Sequence, residues 1–245
     1  MGSRVILAAG IIEKIKENPK LYAIYAGIGL GCLIALIILG KILYWLVRQF
    51  TLGRIAKDLG LSYNWYDRWQ SLTRCASLPL FSKSTGGRIS AIVHGSKDGV
   101  DIRLFDFRRR PDWGPGRLFR WWTTVVLFEM SYDLPFFYLR REKLSDKFAS
   151  LIGHNDIDDF SNKEFNKTFY VKAAEKQYAH ELMPDEMVEF VMERVGDEPI
   201  NIEVSRSVIA FHLDKVVGRD KVKWLYEFAQ DFWERVPEAA VSKKR

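Results

Sequence analysis

Hydrophobic and polar positions are spread very unevenly along this 245-residue chain. From Leu21 to Gly40 twenty consecutive positions carry no charge and are rich in Ile, Leu and Gly. Apolar character then resumes after Lys41 and runs through Val47. A helix rises about 1.5 Å per residue and needs roughly 20 such residues to cross a bilayer core. The pattern therefore predicts one membrane-spanning helix over residues 21–47. Tyr22 and Tyr25 mark one interface, Tyr44 and Trp45 the other, and Lys41 is near enough to an end for its stem to reach the headgroups. A cleaved signal peptide would have a shorter apolar region, about 7–15 residues, followed by a small-residue cleavage site. Gly40-Lys41-Ile42-Leu43-Tyr44 offers no such site.

Ahead of the span, residues 1–20 read as an interfacial or flexible segment: Val5–Ile12 is too short to cross, and Pro19 closes what precedes it. Residues 48–87 read as a connecting helix and loops. Helical spacing continues from Arg54 to Leu59 and stops at Gly60, and the stretch from Leu72 to Phe81 is irregular. From residue 88 the period changes. Ile89–Gly95 and Val100–Phe107 alternate about Asp98-Gly99, a hairpin signal because Gly accepts φ > 0. Further strands are expected over Trp121–Met130, Phe136–Arg140, Phe169–Val171, Ile200–Val204 and Val208–Leu213. One helix follows Pro184, with Asp185 and Glu186 in its first turn, and another runs from Asp220 to Val236 with an apolar stripe. Successive hairpins without βαβ alternation predict an α+β domain over residues 88–245, with a mainly antiparallel sheet and packed helices; a small barrel capped by the last helix is a variant.

Composition changes the picture only in part. The mean hydropathy of −0.13 is that of a soluble protein, because it averages the span against a charged domain. Five of the 37 basic and two of the 31 acidic residues precede Arg48, leaving 32 against 29 in the rest. That net of +3 is too mild for nucleic-acid binding, and no RNA-binding or zinc-finger signature is present. Basic residues flank the span almost evenly, so the positive-inside comparison fixes no orientation. Cys32 lies in the span and Cys75 beyond it, so the domain carries one unpaired thiol. A reducing compartment suits that, which favours a cytoplasmic C-terminal domain.

Two groups of residues are candidates for contact. Ala23, Gly27, Gly31 and Ala35 recur every four positions in the span, a small-residue face that lets another helix approach closely. Glycine is also common in membrane helices generally, which is the competing explanation. Arg108, Arg109, Arg110, Trp113, Arg117, Arg120 and Trp121 crowd around Pro111, Gly114, Pro115 and Gly116, a loop between two strands. Guanidinium groups pair with carboxylate or phosphate, and Trp suits interfaces and headgroup regions. The loop is expected either to dock on a partner subunit, to touch anionic lipid, or to be a solvated hairpin tip.

No catalytic pattern emerges. Asp156, Asp158 and Asp159 lack the spacing of a calcium loop. His94, His154, His180 and His212 are scattered, without the pairs or cysteine partners of a zinc site. Cys75 has no local nucleophile motif, and Ser84-Thr85-Gly86-Gly87-Arg88 lacks the Lys of a phosphate-binding loop. Neither a metal nor a cofactor is expected.

Phe165–Val171, Tyr178–Pro184, Leu78-Pro79-Leu80-Phe81, Leu104–Phe107 and Leu134–Phe137 together give residues 52–217 a resemblance. The chain resembles prokaryotic membrane-anchored proteins with a C-terminal domain of unknown function. The resemblance implies a tethered α+β domain and brings no activity or functional residue with it. The leading expectation is a single-pass membrane protein with a binding or structural domain, an accessory subunit of a larger membrane complex. A tethered lipid- or ligand-sensing domain is the alternative, and a membrane-bound enzyme of unrecognised type the second. Expected partners are the membrane itself, other membrane subunits or a second copy through the span, and anionic lipid.

Overall fold

The computed structural model describes residues 18–67, 71–82, 87–109, 121–142 and 157–241. The Val5–Ile12 segment therefore lies outside the described residues. The chain divides into two compact units, Met1–Phe50 and Thr51–Arg245.

The first unit is built on helix α1, Pro19–Asp58, whose last turns belong to the second. Pro19 opens it, a position where its fixed φ fits and its missing N–H costs nothing. From Ile24 to Phe50 large apolar side chains are exposed around the helix, among them Leu30, Ile34, Leu36 and Ile38. A helix apolar on all sides suits hydrocarbon rather than one buried face. Among the described residues this is one helix long and apolar enough to cross a membrane.

The second unit is an α+β domain. Its strands are β1 (Ser62–Asn64), β2 (Arg88–Lys97), β3 (Val100–Arg109), β4 (Trp121–Arg141), β5 (Phe169–Ala173) and β6 (Ile200–Leu213). Among the described residues they form one six-stranded antiparallel sheet, in the order β1-β2-β3-β4-β5 with β6 on β4. The helices are the short turns α2 (Ser71–Arg74) and α3 (Pro79–Ser82), then α4 (Lys163–Thr168), α5 (Lys176–Leu182), α6 (Asp185–Val195), α7 (Arg219–Glu234) and α8 (Glu238–Val241).

Local chemistry explains several boundaries. The β2–β3 turn holds Asp98 at φ 53° and Gly99 at φ 79°, the doubly left-handed pair that matches the twist of a two-residue hairpin. The Asn162 side chain accepts from the Glu164 and Phe165 N–H groups and starts α4. Asp185 and Glu186 sit in the first turn of α6, where negative charge is favoured.

Alternation divides the sheet into two faces. One carries Leu104, Val126, Phe128, Leu139, Ile202, Ile209 and Phe211, and packs on Leu182, Val188, Val191, Leu225, Phe228 and Phe232 of the helices. Leu52, Ile55 and Ala56, from the end of α1, join the same core. The other face carries Phe105, Phe107, Val125, Leu127, Val208 and Ala210. It is covered by Cys75, Leu78, Leu80 and Phe81 from the α2–α3 stretch, which the sequence shows only as irregular.

Two strands differ from expectation. The expected pair Trp121–Met130 and Phe136–Arg140 is the single 21-residue strand β4, and Ile200–Val204 with Val208–Leu213 is the single strand β6. Leu134-Pro135 looks like a turn because proline cannot donate to a ladder. Here it falls inside an interruption, where β4–β6 register shifts between Glu129 and Leu134 and again between Leu134 and Phe137. Opposite, Arg206 takes φ 54°. The two strands bend together there and stay paired on both sides of the interruption.

Candidate functional site

The bend brings polar residues together. Glu203 and His212 are nine positions apart in β6, roughly 30 Å along a straight strand, yet Nε2 of His212 lies 3.4 Å from Oε1 of Glu203. Both are almost wholly buried, with 2% and 3% exposure. The second Glu203 oxygen accepts the Leu80 N–H at 2.9 Å, which fixes α3 against the strand. Asn201 Nδ2 donates to the Pro199 carbonyl at 3.4 Å and the His212 carbonyl at 3.5 Å.

These groups line a cleft of about 220 Å3 with Pro79, Leu80, Arg109, Tyr138, Arg140 and Asp214. Register explains the assembly: Tyr138 pairs with Glu203 and Arg140 with Asn201 across the β4–β6 ladder. The Arg140 guanidinium is set 4.8 Å from the Tyr170 ring centre and donates to the Arg141 carbonyl. Burial, and next the Glu203 carboxylate, push the Tyr138 phenol above its ordinary range, so it remains a neutral donor and acceptor.

Of the sequence-predicted contact residues, Arg109 lines this cleft. Arg108 sits 5.7 Å from the Trp122 ring centre. Trp121 is 50% exposed and its neighbour Trp122 38%, so this end of the sheet presents aromatic surface beside cationic groups. Arg110, Trp113, Arg117 and Arg120 lie outside the described residues. Ala23, Gly27, Gly31 and Ala35 lie together on α1 and are exposed. A Cβ at Gly27 or Gly31 would meet nothing within 4 Å.

Sequence reasoning misses Tyr138, Arg140, Asn201, Glu203 and Asp214, and sees His212 only as one of four scattered histidines. A signal is present: Asn201, Glu203 and Ser205 alternate with Ile200, Ile202 and Val204. Polar residues on alternate positions usually mean a solvated face; here that face is buried by α3. The other described histidines also have partners. His94 Nε2 meets Asn64 Nδ2 at 2.8 Å, and His180 meets Asp159 at 3.3 Å. Asp159 also pairs with Lys176 at 2.6 Å, while Asp156 and His154 lie outside the described residues. Among the described residues no three His, Cys, Asp or Glu side chains converge as metal ligands would.

A second polar cluster occupies the opposite end of the same face. Arg103 contacts Glu129 at 2.5 Å and Arg74 reaches its other oxygen at 2.9 Å. Burial alone would raise the Glu129 carboxyl, but the two guanidinium groups together outweigh it and hold the group below its ordinary value of 4.5. Burial pushes the neighbouring Cys75 thiol up to about 12, which makes it inert as a nucleophile near neutrality. Because the Glu129 pKa is depressed on folding, its stabilising contribution is complete above 4.5 and is lost as pH falls through the lower folded value. Glu129→Gln is therefore expected to weaken the domain near neutral pH and to flatten its acid-side loss of stability. Chemical denaturation across the carboxylate range checks this; an acid limb as steep as that of the unmodified chain would contradict it.

Among known proteins, no family model and no curated protein matches the chain. Among solved structures the chain is similar in fold to the crystal structure of the mycobacterial trehalose monomycolate transport factor A, TtfA, with a TM-score of 0.54 at 12% identity, over 77% of this chain and 96% of that one.

Proposed function

We propose that this chain is a single-pass membrane protein whose α+β domain serves as an accessory, binding component of a membrane assembly engaged in lipid transport. The observation that carries the reading is one of architecture. A fold similar to that of a transport factor follows, in one chain, a helix long and apolar enough to span a bilayer. The resemblance to membrane-anchored prokaryotic proteins agrees with that arrangement. An unpaired Cys75 is compatible with a reducing compartment, the cytoplasmic side that the sequence favours.

Assembly through the span would use Ala23, Gly27, Gly31 and Ala35, because small residues gain close dispersion contacts that lipid does not supply. The empty space around Gly27 and Gly31 makes this testable. Gly27→Leu with Gly31→Leu leaves the chain's own packing untouched and obstructs only a neighbouring helix. Mild-detergent purification of the intact chain from its native membranes is expected to recover an integral membrane partner, and the double variant to recover markedly less. Equal recovery from both would remove the helix-packing part of the reading.

Exposed Trp121 and Trp122 beside Arg108 favour a second reading, a tethered domain that senses anionic lipid. A chain recovered alone from membranes, yet retained on anionic and not on neutral vesicles, would favour it over the first.

A further inference from the structure

The cleft on the bent β4–β6 ladder has a chemistry that the proposed role does not require. We infer that this cleft binds a neutral, polyhydroxylated ring, the chemical class of a sugar or cyclic polyol. Charge is the first reason. Arg109 and Arg140 are matched by Glu203 and Asp214 around one small volume. An anion entering would face two carboxylates, and a cation two guanidinium groups, in a partly desolvated site. A neutral ligand meets neither penalty.

Hydrogen-bonding capacity is the second. Arginine only donates and an ionised carboxylate only accepts, whereas Asn201 and Tyr138 do both. A hydroxyl group also does both, so neighbouring hydroxyls on a ring can use the two kinds of partner at once. A phosphate or carboxylate ligand would bring only acceptors to a cleft that already holds two carboxylates. His212 serves here as fixed wall: its Nε2 is held by Glu203 and its Nδ1 is buried away from the cleft.

Shape and preorganisation are the third. At about 220 Å3 the cleft falls below the roughly 300–1,000 Å3 of sites for drug-sized ligands, and suits a single ring. Pro79, Leu80 and the Tyr138 ring supply apolar wall for the C–H face of such a ring. The polar groups are held before any ligand arrives: Glu203 by the Leu80 N–H, Arg140 by the Tyr170 ring and Asn201 by two carbonyls. Fixed groups lose little freedom on binding, which favours recognition of a small ligand.

Sugar binding here is independent of the proposed membrane role, and either can fail without the other. The test uses the purified full chain in a zwitterionic detergent, since detergents with sugar headgroups would compete. Glucose and myo-inositol are titrated while the Asn201 side-chain amide and the Leu80 backbone amide are followed by NMR, with inorganic phosphate as the anionic comparison. Saturable shifts of both signals with glucose or inositol, and none with phosphate, are expected. Arg140→Ala and Asp214→Ala, both at the half-buried rim, should each weaken binding about tenfold, the effect of losing one charge-assisted hydrogen bond. Vesicles carrying a glucosyl diacylglycerol, compared with vesicles lacking it, show whether the ring is recognised free or as a lipid headgroup; either source supports the inference. Binding of phosphate but not the sugars, no saturable shift with either, or unchanged sugar affinity in both rim variants would overturn it. Where Glu203→Gln is tried and unfolds the domain, the two rim variants still decide.

Discussion

Phe211→Ala is expected to lower the unfolding free energy of the domain by about 3–5 kcal/mol, the range for truncating a buried aromatic. Phe211 is fully buried in β6. Its ring centre lies 5.9 Å from that of Phe128, 6.0 Å from Phe228 and 5.4 Å from Phe232, each in an edge-on arrangement. It is therefore the point at which the sheet and α7 grip one another. Truncation removes the ring's burial and its aromatic contacts, and leaves a void between a strand and a helix that cannot close without shifting both. Domains of this size are stable by only about 5–15 kcal/mol in total, so a large fraction would disappear. Denaturant unfolding of the full chain should show a lower midpoint with an unchanged slope. Phe211→Leu, which keeps most of the volume, should cost much less. A loss below about 1 kcal/mol for Ala, the usual size for a surface change, would mean that this junction is not packed as described.

The second large effect concerns α1. Leu30→Arg with Ile34→Arg places two charges four residues apart on one side of the helix, near the middle of the uncharged run. Each central arginine costs about 2.5–3.5 kcal/mol on insertion scales, so the pair opposes insertion by roughly 5–7 kcal/mol. Native membranes floated on a density gradient should carry the unmodified chain upward and leave most of the double variant behind. The matched Leu30→Ala, Ile34→Ala variant should still float. Undiminished flotation of the arginine variant would mean that something other than the helix holds the chain to membranes. The intact mass of chain purified from the floated fraction separates a retained span from a leader that has been removed: loss of residues 21–40 would contradict anchoring.

Much of the architecture is legible in the residue pattern, and the reasons are local. Twenty uncharged positions announce α1, Asp98-Gly99 announces the β2–β3 hairpin, and Pro184 followed by two acidic residues announces α6. The middle of β4 and β6 is not legible in the same way. Pro135 between aromatic residues reads as a turn from neighbours alone. Whether the strand reverses or merely bends depends on β6, more than sixty residues later, which follows the same curve beside it. The cleft is the product of that bend, so its residues are invisible as a group. Glu203 and His212 meet only because β6 curls, and Arg109 joins them from β3. In the sequence Arg109 stands out for its place in an arginine-rich loop, and the fold gives it different company. Cys75 shows the opposite case: without a motif around it the thiol reads as inert, and its burial beside Arg103 and Glu129 supplies the physical cause.

If the chain joins a larger membrane assembly through the small-residue face of its span, that face lies against another helix. Cross-linking in native membranes decides the point, with a photoreactive residue at position 27 or 31 of the intact chain and identification of the adduct by mass. A discrete adduct with a second integral membrane protein is expected, reduced when the small-residue face is filled by leucine. Only uncross-linked chain, recovered as a lone monomer from both positions, would contradict it.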